Sequence, residues 1–206
     1  MLVNPADYIK RNIPIVYLNN TDMKEYYSVE CNHYEGGYLA GKELIKKNCK
    51  RIVLLTNNKT ASSVNSKIQG FKDALQKYNI PTYPELIFRL DVKEGIFEDS
   101  LHTINKIIED NISFDGIFAT NDLRAHAALV ALQNHNIKIP DEVKIVGYDG
   151  TSISKYANPP ISTIYQDKKI LATKTSSLLL NLINEEGINF DKHTVIPVKL
   201  IERKTT

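Results

Sequence analysis

Cysteine is scarce in this 206-residue chain: the only two are Cys31 and Cys49, in no metal-ligand spacing. That leaves no thiolate metal site and points to a reducing, cytoplasmic location. Charge of one sign is missing as well. The 26 basic and 24 acidic residues are interspersed and leave a net charge of +2, so the chain by itself lacks the basic face that gripping DNA requires. No apolar run approaches a membrane span, and no apolar stretch behind positive charge opens the chain as a signal peptide would. The five histidines (His33, His102, His126, His135, His193) are scattered with no HExxH spacing, which argues against a metal site. Neither a GxSxG elbow nor a P-loop lysine is present, so nucleophilic and phosphoryl-transfer chemistry have no assembled candidate and no cofactor is implied. Gly36, Gly37 and Gly41 lack GxGxxG spacing and read as close helix packing rather than a phosphate loop. No internal repeat or low-complexity segment interrupts the chain.

What is present suits one soluble globular domain or two small lobes: 42% of residues are hydrophobic and 24% charged. Phe114 to Gly150 organises the rest. Asp115 to Thr120 reads as a short buried strand ending at Asn121-Asp122, either of which can cap the following helix. Ala125, Ala128, Leu129 and Leu132 recur at helical spacing until a polar stop at Asn134 to Asn136. Pro140 then breaks any helix before the apolar run Val143 to Tyr148. Strand, helix and strand in this order make a right-handed crossover in a parallel sheet. Both strands end on polar residues, Asn121 and Asp149, which should project from the carboxyl edge of one sheet, where open α/β sheets bind ligands.

The remaining segments repeat this alternation. Pro5 to Arg11 suggests a turn of helix, Ile13 to Leu18 a buried strand ending at Asn19, and Thr21 to Tyr27 a surface link. Ser28 to Cys31 and Ile52 to Thr56 read as strands, with Asn32 capping a helix from Tyr34 to Lys47 between them. A helix with Val64, Ile68, Phe71, Leu75 and Tyr78 inward leads to a strand at Leu86 to Leu90. Phe97, Leu101, Ile104 and Ile108 mark the inner face of a helix from Ile96 to Glu109, and Leu171, Leu178, Leu179 and Leu182 that of one from Ile170 to Ile183. Val195 to Ile201 reads as an edge strand because Pro197 cannot donate to a ladder. The fold class is doubly wound α/β. By residue type, Asn19, Asn121 and Asp149 match a sugar's vicinal diols, since a carboxylate accepts from two adjacent hydroxyls and an amide both donates and accepts. By spacing alone each is equally a strand-end cap or turn residue.

Several separated motifs carry a resemblance. DGIFATNDLRAHAALVAL, IKIPDEVKIVGYDG, NPPISTIYQ (Asn158 to Gln166) and the closing IPVKLIERKTT together resemble the effector-binding region of LacI/GalR transcriptional regulators, of type I periplasmic-binding-protein fold. The likeness covers nearly the whole chain in the family's order. It implies one complete lobe and part of a second: residues 1–27 as a remnant of the amino-terminal lobe, 28–165 as the carboxyl-terminal lobe, 166–192 as a return helix, and 193–206 as a terminal strand on the carboxyl-terminal lobe. The family's DNA-binding domain and first strand-helix units are absent from the sequence as read, so operator DNA would be contacted only through a part this chain lacks.

The resemblance also implies a ligand set. Asn19, Lys67, Leu90, Asn121, Asp149 and Gln166 fall at effector positions, and Tyr156 at a homodimer interface. Asn19 stands where relatives usually carry a carboxylate, Lys67 where they carry an arginine, Leu90 where an aromatic ring often stacks on the ligand, and Cys31 where aspartate is common. Lysine lacks the bidentate fork of arginine, and leucine removes stacking on a purine or sugar face. The implied function is sensing of a small sugar or related metabolite by a non-enzymatic regulator, a repressor. A solute-binding protein of a sugar transporter is the alternative on the same fold.

Overall fold

The computed structural model describes residues 8, 11, 13–19, 26–58, 61–184 and 191–206. The helical turn expected over 5–11 lies outside them but for Tyr8 and Arg11, as does most of the link over 21–27. Strands β1 (Val16–Leu18), β2 (Tyr27–Cys31) and β8 (His193–Ile196) form a parallel three-stranded sheet in the order β1-β2-β8. A six-stranded sheet has the order β4-β3-β5-β6-β7-β9, built from β3 (Ile52–Asn57), β4 (Ile87–Leu90), β5 (Gly116–Ala119), β6 (Lys144–Asp149), β7 (Ser162–Gln166) and β9 (Val198–Ile201). All its pairs are parallel except β7 with β9. After β3 the chain adds β4 on one side and β5 on the other, so the topological switch point lies between β3 and β5.

Both faces of the larger sheet are covered, and its strands alternate accordingly. Val53, Leu55, Ile117 and Ile145 pack under helices α3 (Ile96–Glu109) and α4 (Asp122–Asn134). Ile52, Leu54, Phe118 and Val146 pack under α1 (His33–Lys46) and α2 (Ser62–Lys77). A separate core of Val29, Cys31, Leu171, Leu178 and Ile196 lies beneath α6 (Lys168–Ile183). The glycines of α1 let it lie against α2. A Cβ on Gly37 would sit 1.9 Å from the Lys67 carbonyl oxygen, and one on Gly70 the same distance from that of Tyr34, so neither helix tolerates a side chain at the crossing.

Helices α1 to α4 stop by one repeated device. Asn48, Asn79, Asn111 and Asn136 each take a left-handed conformation, with φ of 68°, 55°, 56° and 57°. The next residue, Cys49, Ile80, Ile112 or Ile137, donates its N–H back to Leu44, Leu75, Ile107 or Leu132. These are Schellman caps with asparagine in place of the usual glycine and an apolar residue after it. They return the chain toward the sheet at the same distance from each helix.

Three expectations require correction. Tyr27–Cys31, cut by the boundary drawn at 27/28, is a single strand of the three-stranded sheet. The last strand is not continuous on one sheet: β8 pairs with β2, Pro197 interrupts it, and β9 pairs antiparallel with β7. In α3 the buried residues are Ser100, Ile104 and Ile107, with Phe97, Leu101 and Ile108 only partly covered. Leu101 and Ile108 still pack against the core, and on the same helix Ser100 Oγ accepts from Nη1 of the buried Arg124 of α4 at 3.0 Å.

Candidate functional site

The carboxyl edge of the six-stranded sheet gathers the polar groups. β6 ends at Asp149, whose φ of 102° is followed by Gly150 at 64°, a reversal that turns the carboxylate back over the strand ends. Glycine is required at 150, where a Cβ would meet Tyr165 Cδ2 at 2.5 Å. Gln166, the buried last residue of β7, donates Nε2 to Asp149 Oδ1 at 2.7 Å. Burial raises the Asp149 carboxyl to about 6, opposed by Lys67, reinforced by the charge of Asp122, and opposed again by Lys168 and the Gln166 hydrogen bond.

Lys67 reaches this edge from α2. Its ammonium lies 3.9 Å from the centroid of the Tyr148 ring and donates to the Thr120 carbonyl at 3.4 Å. No carboxylate is in ion-pair distance of it among the described residues, and an ammonium carries three donors. Burial lowers its proton affinity, and Asp149 and Cys31 act against that. Beneath it, His33 Nδ1 meets Tyr148 Oη at 3.3 Å, while His33 Nε2 is buried with no hydrogen-bond partner among the described residues. Desolvation, then the charge of Lys67, hold this imidazole down at about 3, so it is neutral. The Tyr148 hydroxyl is pushed well above its ordinary range, by burial first and the Asp149 charge second.

The two asparagines have local partners. Asn19, at φ 51°, accepts from the Cys31 N–H through Oδ1 at 3.1 Å and donates its own N–H to Val29 at 3.0 Å, which ties the end of β1 to β2. Burial drives the Cys31 thiol up to about 11, and it feels the charges of both Lys67 and Asp149, so the small sheet reaches the same edge. Asn121 Oδ1 accepts from the Arg124 N–H at 2.8 Å and caps α4. With both amide oxygens engaged, each asparagine has its NH₂ group left to offer. Lys67, Asp149 and Gln166 thus come together, with Asn19 and Asn121 on the flanking strand ends. Leu90 instead packs on the core under α3 and α4, and Tyr156 sits on the surface, 74% exposed, at the end of the short helix α5 (Ser152–Tyr156).

Asp122 and the His33–Tyr148 pair escaped the sequence reading. By sequence Asp122 is only an alternative cap to Asn121, yet in the structure it turns inward and accepts from Thr151 and Thr163. The signal available was a hydroxyl residue just after β6, Thr151, and another near the start of β7, Thr163. Among the described residues no group of three or more His, Cys, Asp or Glu converges as a metal site, and no helix is long and apolar enough to cross a membrane.

The periplasmic binding protein-like domain family matches residues 42–206. The HTH-type transcriptional repressor PurR of Histophilus somni (strain 2336) is 31% identical over 190 residues, 90% of this chain and 53% of the relative. That of Pasteurella multocida (strain Pm70) is 29% identical over 179 residues, 85% of this chain and 52% of the relative. The chain therefore spans about half the length of the curated relatives it matches. Among solved structures, a LacI family transcriptional regulator from Enterococcus faecium with bound ribose aligns with a TM-score of 0.86 at 25% identity, covering 98% of this chain and 73% of that one. A periplasmic binding protein/LacI transcriptional regulator from Alkaliphilus metalliredigens complexed with D-xylulofuranose aligns with a TM-score of 0.83 at 28% identity, with the same coverages of 98% and 73%. This chain belongs to the periplasmic binding protein-like domain family, in the form that LacI/GalR transcriptional regulators carry as their effector-binding region.

Proposed function

We propose that this region binds a small sugar or sugar-like metabolite at the carboxyl edge of its larger sheet and that binding biases a LacI/GalR-type regulator, a repressor, toward one of two lobe arrangements. The observation that carries the proposal is the largely buried Asp149 carboxylate, oriented by Gln166 and flanked by the Lys67 ammonium. Such a carboxylate accepts from adjacent hydroxyls, while Lys67 and the NH₂ groups of Asn19 and Asn121 supply donors to the ligand's oxygens. Ribose and xylulofuranose in two aligned structures support a sugar of this size. Lysine at 67 makes a point-charge contact in place of a planar fork, and Leu90, packed on the core, offers the ligand no ring to stack on.

The region acts in this reading by binding and not by catalysis, as part of a cytoplasmic homodimer joined through the face that bears Tyr156, with operator DNA held by another part of the whole protein. The matched relatives are named as transcriptional regulators, which favours this over a solute-binding protein serving a transporter. A thermal-melt panel of pentoses, hexoses, disaccharides, their phosphates and purines tests it. A ligand at a hundred times its Kd adds about 2.7 kcal/mol to the native state, a shift of several degrees. The expected result is one stabilising class whose effect is lost in Asp149→Ala. A cooperatively melting chain that no member of the panel shifts, or an equal shift in Asp149→Ala, overturns it.

A further inference from the structure

Asp122 follows the residue that caps α4, yet its own side chain is only 1% exposed. No salt bridge to it is found among the described residues. Its carboxylate is satisfied by neutral donors from two other segments. Oδ2 accepts from the Thr151 N–H at 2.6 Å and from Thr151 Oγ1 at 2.8 Å. Oδ1 accepts from Thr163 Oγ1 at 2.6 Å, and that same hydroxyl oxygen accepts from the Gly150 N–H at 3.3 Å. The network therefore fastens both residues that follow Asp149 to the start of α4 and to β7. Hydrogen bonds to a buried carboxylate are strong ones.

The turn so fastened is the one with two successive positive φ values, at Asp149 and Gly150. A non-glycine residue is held in that region only where its surroundings over-determine it. We propose that Asp122 is the positioning residue of the cleft: through Thr151 and Thr163 it locks the 149–151 turn so that the Asp149 carboxylate stands against Gln166 and faces the ligand. The ligand-binding half of this rests on the function proposed above; the locking half does not. The role differs from that of a passive core residue because Asp122 also acts on Asp149 electrostatically. The charged and titratable groups that bear on Asp149 are Lys67 from α2, Asp122 from α4, Lys168 from the start of α6, Cys31 from β2 and Tyr148 from β6. Among the groups that act on the Asp149 carboxyl itself, Asp122 alone pushes it upward by its charge, whereas Lys67 and Lys168 pull it down.

Carbon-detected NMR of the aspartate carboxyls, with the side-chain NH₂ signals of Gln166, tests this without a ligand. In Asp122→Asn the Asp149 titration midpoint falls from about 6 toward the ordinary 3.8, because a neighbouring negative charge is gone and the released carboxylate gains solvent. Thr163→Val, which keeps that charge and the shape of the side chain, shifts the Gln166 NH₂ signals and speeds their exchange as the turn loosens. It also serves if Asp122→Asn does not fold. A folded variant in which both the Asp149 midpoint and the Gln166 signals match the parent overturns the proposal. Calorimetry with D-ribose is the second arm: where the parent binds it, Asp122→Asn weakens affinity roughly tenfold, as the loss of one charge-assisted hydrogen bond implies, and unchanged affinity refutes the role in binding. A parent that does not bind D-ribose counts against ribose as the ligand, while the NMR arm still decides whether Asp122 positions Asp149.

Discussion

Replacing Asp149 by asparagine should make the protein more stable while removing its ligand. The folded chain holds the Asp149 carboxyl at about 6 against an ordinary 3.8, chiefly by desolvation. Between those two values the folded state binds the proton more tightly than the unfolded chain, so stability falls as pH rises through this window and the full cost is present above it. At about 1.4 kcal/mol for each tenfold change in proton affinity, the ionised carboxylate costs the fold roughly 3 kcal/mol at neutral pH. Asparagine is neutral, keeps an oxygen to accept from Gln166 Nε2 in place of the 2.7 Å bond, and is among the residues best suited to positive φ. Paired thermal melts across the window give the assay. Asp149→Asn should melt several degrees above the parent at about pH 7.5, and the gain should shrink steadily as pH is lowered from about 6 toward 3.8. No gain at neutral pH, or a gain of the same size at both ends of the window, would refute the assignment of a desolvated charge at 149.

Three further outcomes follow from the geometry. Gly70→Ala places a Cβ 1.9 Å from the Tyr34 carbonyl, so α1 and α2 must separate, and the urea midpoint should fall by an amount equivalent to about 1–3 kcal/mol or more. His33, held down at about 3, should show no imidazole titration by NMR between about pH 5 and pH 8. Because its folded value lies below the ordinary 6.5, its contribution to stability is present above that value and is lost as pH falls toward 3. Asn79→Ala forces an alanine into a left-handed cap at φ 55° and should cost about 1 kcal/mol in denaturant unfolding, whereas Asn79→Gly should be neutral or stabilising.

Much of this architecture is written locally. The alternation of short apolar runs with amphipathic stretches, the caps at Asn32 and Asn121 and the close packing of the α1 glycines all depend on neighbours in sequence or on one helix face. What was not legible depends on partners far along the chain. Pro197 announces a break in a ladder, but nothing nearby says that Val195 pairs with Glu30 while Val198 pairs with Gln166. The burial of Arg124 was equally hidden, since its charge argues for solvent until Ser100 is seen to accept from it. At the site, Asp149 was visible as a polar strand end, whereas Asp122 was masked by Asn121, since either can cap and only the fold decides which turns inward. The four asparagine caps stand in the sequence as Asn48, Asn79, Asn111 and Asn136, each before an apolar residue, but only around Asn136 does a polar run mark the helix stop.

The central claim is that the carboxyl edge of the six-stranded sheet is the ligand site, and amide chemical-shift mapping of the chain with the best stabiliser from the sugar panel tests it most directly. The account predicts saturable shifts at Lys67, Asn121, the turn from Asp149 to Thr151, and Gln166, all absent in Asp149→Ala. Shifts confined to other surfaces, or unchanged by that substitution, would place the ligand elsewhere and contradict it.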